Sequence, residues 1–229
     1  MVRRMVRRAS SPAAARLQAG PDPWSAAERK LLARLRTPGD IQRLLETTAY
    51  STEPIYRSPR SVLRDRRAHC FDGAMLAAAA LERLGHRPRL VDLRAHRDDD
   101  HVLAVYQVDG AWGAIGKSNF VGLRGRDPVY ASLRELAMSY FEAYFNLERR
   151  RSLRSVSRPV DLGAFEHLAW RTNDAAMEAI AARLDSSPHA PLVSDAVARR
   201  LDPIDQRTWD GHTVGTDFAG AYDPNKKKG

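Results

Sequence analysis

The single cysteine of this chain, Cys70, and a histidine farther along, His101, are the residues whose types and order could do chemistry. A thiol attacks as its thiolate, and an imidazole can take the proton. Cys70 lies at the expected start of a helix, where unpaired N–H groups and the macrodipole favour an anion and lower a thiol pKa. Such a pair would attack an acyl carbon and pass through a thioester. The competing account of a lone cysteine is an inert core residue.

The elements that must position this pair are legible around it. Met75, Leu76, Ala79, Ala80 and Leu84 recur at helical spacing from Cys70, with Asp72 in the first turn and Gly85 as the stop. Pro88 to Ala95 reads as a strand, followed by the polar loop His96 to Asp100. That loop reads as a solvated acidic stretch rather than a metal site, because successive residues point in alternating directions. His101 to Val108 is apolar on both faces and therefore central. Asp109-Gly110 is a hairpin signal, and Ala111 to Lys117 returns as the partner strand. A two-residue turn sets Val108 opposite Ala111 and Gln107 opposite Trp112, which puts His101 opposite Ser118 with Gly116 and Asn119 close by.

Ahead of this unit, helices are expected over 24–35 and 41–48, the second capped by Asp40. Behind it, Ser132 to Asn146 has the pattern of one amphipathic helix burying Leu133, Leu136, Ala137, Tyr140, Phe141, Tyr144 and Phe145. Arg149, Arg150, Arg151, Arg154 and Arg158 read as a solvated junction and a boundary. Helices are expected at 173–185 and 194–201, then a tail without a core pattern. The expected organisation is a basic tail (1–23), a core (24–148), a helical C-terminal extension (149–221) and a second basic tail (222–229). The expected fold class is α+β, with the helix carrying Cys70 packed on a small antiparallel sheet carrying His101.

Over Ser58 to Ser118 the chain resembles the transglutaminase-like branch of the papain-like cysteine enzymes. The resemblance rests on Ala68-His69-Cys70-Phe71-Asp72-Gly73-Ala74, on Leu84-Gly85-His86-Arg87-Pro88-Arg89-Leu90-Val91, and on His101, Asp109-Gly110 and Trp112 in that order. It implies a papain-like core and a cysteine enzyme acting on peptide or protein amides, by hydrolysis or acyl transfer. An inactive member of the fold that binds peptide or protein is the alternative. The acid usual four residues after the Trp falls at Gly116, so Asn119, or failing that Ser118, is expected to orient His101. Trp112, His69 and Lys117 are the expected substrate contacts. Neither metal nor cofactor is implied.

Composition bounds the rest. At 229 residues, 43% hydrophobic and 28% charged, the chain fits a globular protein, and no run is apolar enough for a membrane span. One cysteine excludes an internal disulfide framework and a multi-cysteine zinc site. The net charge of +9 sits in the ends: nine Lys/Arg precede Thr37 against Asp22 and Glu28, and residues 226–228 are lysines. The ends therefore suit weak, nonspecific contact with nucleic acid or an anionic surface. The expected location is cytoplasmic, with an organelle transit role left open by the Arg-, Ala- and Ser-rich start.

Overall fold

The computed structural model describes residues 22–222, so both expected basic tails lie largely outside the described residues. In chain order the elements are α1 (Ala26–Leu32), α2 (Pro38–Glu46), β1 (Ala49–Tyr50), α3 (Pro59–Asp65), β2 (Arg67–Ala68) and α4 (Cys70–Arg83). The sheet strands follow as β3 (Arg89–Ala95), β4 (His101–Val108), β5 (Ala111–Ile115) and β6 (Arg126–Tyr130), then α5 (Leu133–Met138). The last third adds β7 (Leu153–Ser157), β8 (Val160–Asp161), α6 (Met177–Asp185), β9 (His189–Pro191), α7 (Asp195–Ala198) and α8 (Gln206–His212). The class is α+β. The main sheet runs β6-β5-β4-β3-β7-β9, with β8 also on β3, and every pairing in it is antiparallel.

The centre is α4. Every residue from Phe71 to Leu81 is buried, as befits a helix apolar on all sides. Its alanines let α2, α3 and the sheet approach closely. Period-2 alternation divides β4 between two cores. Val102, Ala104 and Tyr106 face α4 together with Leu90 and Ile115. Leu103 and Val105 face the opposite layer, where Leu123, Leu136, Tyr140 and Tyr144 pack. The β4–β5 hairpin has the expected register, Val108 with Ala111 and Gln107 with Trp112. Asp109 and Gly110 both have positive φ, 50° and 85°, the backbone a type I′ turn needs.

Four local expectations are corrected. Thr37, not Asp40, caps α2; Asp40 is the third helical residue and completes a capping box. Pairing of β5 stops at Ile115, opposite Ala104, so Ser118 never comes opposite His101. The single helix expected over 132–146 is α5 followed by a short 3-10 turn at Phe141–Ala143. Ser139 breaks it: its hydroxyl donates to the Leu136 carbonyl at 2.7 Å, and its N–H is shared between Glu135 and Leu136. Finally, residues beyond 149 are more than helical. Strand β7 pairs with β3 through Leu93–Val156 and Arg94–Ser155, and of the junction arginines only Arg150 and Arg158 are exposed. Arg151 pairs with Glu142 and Arg154 with Asp195, while Arg149 bonds Gln206 and lies over the Trp209 ring.

Candidate active site at the head of helix α4

The start of α4 is fixed by a buried carboxylate. Asp72 is fully buried; its oxygens accept the Arg57 N–H at 2.8 Å and the His69 N–H at 3.3 Å. The Arg57 guanidinium approaches it at 3.7 Å. His69 stands before the helix and places Nε2 3.1 Å from the Ile55 carbonyl. These contacts bind the 55–58 segment to the first turn and leave Cys70 at the mouth of a cleft of about 410 Å³. Gly73 lets the segment after β5 close over the second turn, since a Cβ there would stand 2.3 Å from Lys117 Cβ.

Cys70 and His101 line this same cleft. The thiol points at the Asp100 carbonyl oxygen, 3.8 Å away, and the Val102 N–H is hydrogen-bonded to the sulfur. Sγ therefore lies against the backbone on both sides of His101, at the end of β4 that β5 does not cover. The ring projects into the layer opposite α4, edge-on to Tyr144 with centroids 6.4 Å apart. Sulfur and ring thus line one cleft at the strand end but come to it from different sheet faces. The Tyr144 hydroxyl donates to the carbonyls of Asp99, at 2.6 Å, and Leu93, at 3.3 Å. It secures the loop that delivers His101.

The group behind the ring is a main-chain carbonyl. His101 Nε2 is 2.8 Å from the Leu123 oxygen. A carbonyl only accepts, so the hydrogen is on Nε2 and the neutral ring keeps its lone pair on Nδ1. Gly116 makes this possible. A Cβ at that position would stand 3.3 Å from His101 Nε2 and 3.2 Å from the Leu123 oxygen. The place where an acid was expected is the place where the carbonyl comes in. Gln42, on α2, holds the loop: its side-chain oxygen accepts the N–H groups of Gly116 (3.2 Å) and Gly125 (3.1 Å), and its amide donates to the Gly116 carbonyl (3.0 Å).

The other expected residues are distributed differently. Asn119 lines the cleft but turns its amide to Asp217, not to His101. The Ser118 hydroxyl accepts the Phe120 N–H. Lys117 is buried and donates to the carbonyls of Leu45 and Thr48, capping the C-terminal end of α2. Trp112 sits at the hairpin end of β5, about 20 Å along the strands from His101, packed into the layer opposite α4. His69 does line the cleft. In the 96–100 loop, Asp98 accepts the Ser152 hydroxyl at 2.6 Å and Asp100 accepts the Ala95 N–H at 2.8 Å, so these carboxylates brace the loop. The Leu123 carbonyl, Gln42 and Tyr144 are site groups that the sequence does not single out: the helical pattern places Tyr144 only in the core, and a main-chain carbonyl leaves no mark in sequence.

The electrostatics correct one more expectation. Burial outweighs the helix N-terminus: it pushes the Cys70 thiol up to about 12, although the Val102 and Phe71 N–H groups oppose it. Burial likewise pushes His101 down to about 4, against the Leu123 hydrogen bond. Thiol and imidazole both rest neutral. No known protein-family profile matches the chain, and no curated protein is significantly similar to it.

Proposed function

We propose that the protein is a transglutaminase-like cysteine enzyme acting on peptide or protein amides. The observation that carries this is the Leu123 carbonyl on His101 Nε2, which leaves Nδ1 as a base on a ring whose flanking backbone touches the sulfur. In the reaction, Nδ1 takes the thiol proton as Sγ bonds to the acyl carbon. The imidazolium returns that proton to the departing amine as the C–N bond breaks, leaving a thioester. Water or a second amine then takes the acyl group. Main-chain N–H groups at the start of α4 stabilise the oxyanion. With no carboxylate behind the ring, proton transfer accompanies attack instead of preceding it, and turnover is slow.

One observation favours a second reading, a non-catalytic peptide- or protein-binding member of the fold: both partners of the pair rest uncharged. Alkylation of Cys70 by iodoacetamide, followed by intact mass between about pH 3 and pH 9, separates the two. A working base gives reactivity that rises near pH 4 and holds as a plateau through neutral pH, and His101→Ala abolishes that plateau. If native protein and variant rise together only as the thiol itself ionises, the binding reading stands and catalysis is excluded.

A further inference from the structure

Part of the cleft's wall is supplied by the last described residues of this chain. Ala219, Gly220, Ala221 and Tyr222 line it together with Cys70 and His101. The segment arrives from α8, whose Trp209 stacks on Phe218 with centroids 6.0 Å apart and leans on Phe145 at 5.7 Å. Its attachment inside the cleft is the Asn119 side chain. Nδ2 donates to the Asp217 carbonyl at 2.6 Å, and Oδ1 accepts the Asp217 N–H at 2.9 Å. Both main-chain groups of one residue are thus read by one amide, as a neighbouring β-strand would read them. The Thr216 hydroxyl adds a bond to the Asn119 carbonyl at 3.2 Å.

This grip uses no side chain of Asp217, so it suits any peptide backbone. Selectivity comes one step farther along. A Cβ on Gly220 would stand 2.7 Å from Thr52 Cγ2 and 3.3 Å from the Tyr50 ring, so the wall made by Tyr50 and Thr52 accepts a glycine. Ala219 and Ala221 flank it with the smallest side chains. Asp217, Phe218 and Ala219 are exposed, so the segment lies on the rim of the cleft and can leave without opening the core.

We infer that the cleft beside Cys70 is a groove for peptides with small residues, gripped by Asn119 through the main chain and occupied in cis by residues 217–222 as an autoinhibitory strap. That such a peptide is the substrate rests on the acyl-enzyme reading; that the strap occupies the groove does not.

The test uses the full chain. Gly220→Val forces the strap off the Tyr50–Thr52 wall while leaving the wall intact. Asn119→Ala removes the grip from the other side. Circular dichroism confirms that each variant is folded, and two measurements follow: Cys70 alkylation by a bulky maleimide, and fluorescence anisotropy of a labelled, end-blocked hexapeptide of sequence Asp-Phe-Ala-Gly-Ala-Tyr. Both variants are expected to alkylate about tenfold faster than the native chain, the scale set by losing two hydrogen bonds. Gly220→Val is expected to bind the hexapeptide, and the native chain and Asn119→Ala to bind it far more weakly. Native-rate alkylation in both variants overturns the strap, and faster alkylation without peptide binding by Gly220→Val overturns the groove. Repeating the alkylation in a His101→Ala background separates the two ideas. Acceleration that survives there upholds the strap whether or not the pair is catalytic, and its loss there overturns the strap as a barrier to access.

Discussion

A Cβ on Gly116 would stand 2.6 Å from Leu103 Cδ2 as well as against His101 and the Leu123 oxygen. One methyl group therefore competes with the carbonyl that fixes the imidazole tautomer. Gly116→Ala is expected to lower stability by about 1–3 kcal/mol through overpacking and to displace the carbonyl from Nε2. Urea titration measures the first effect. Nitrogen-15 NMR of the His101 ring measures the second, as a shift from the Nε2–H form toward a mixture of tautomers. An unchanged tautomer would show that the carbonyl does not hold the ring. From sequence, Gly116 reads as a missing acid, because a side chain is what a sequence names. A carbonyl belongs to every residue alike, so nothing about Leu123 distinguishes it until the loop is folded.

The elements divide the same way between what local rules fix and what packing decides. The hairpin was legible because Asp109-Gly110 has one favourable turn and the strands beside it one register; the start of α4 was legible from its periodicity and from Asp72. The break in the helix after α5 was not. It depends on Ser139, whose main-chain carbonyl also receives the Arg126 guanidinium at 3.4 Å, a residue brought there by β6. Gln42 makes the same point across a longer span, since it lies on α2 and its partners lie beyond β5. Removing its amide with Gln42→Leu leaves the Gly116 and Gly125 groups without these partners, a cost of about 1–3 kcal/mol. Because the clamp closes the loop that carries Leu123, the variant should also mix the His101 tautomers, which a purely structural helix residue would not do. Glutamate at position 42 keeps the acceptor but not the donor, so Gln42→Glu is expected to recover part of the loss.

For the whole molecule, the last third is part of the sheet, not an appendage. Strand β7 covers the edge of β3 that β4 leaves open, and Leu153 and Val156 complete the layer opposite α4. A chain ended at Glu148 is expected to show no cooperative urea transition, whereas the full chain unfolds with coincident fluorescence and circular-dichroism curves. The thiol offers a global readout of its own. Folded Cys70 keeps its proton to about pH 12, against an ordinary value of 9.0. As pH rises past that ordinary value, the unfolded chain releases the proton while the folded chain retains it. The folded state then binds more protons, so stability falls with rising pH across the window from 9 to 12 and is unaffected by the thiol below it. Buried Tyr106, raised to about 12, and Tyr140, also raised, slope the same way, so the native curve alone does not isolate the thiol. Cys70→Ala does, because it leaves the tyrosines in place. Its stability curve should run parallel to the native one below pH 9 and fall less steeply above it. Parallel curves throughout would mean that folding leaves the thiol at its ordinary value, and that burial does not raise it.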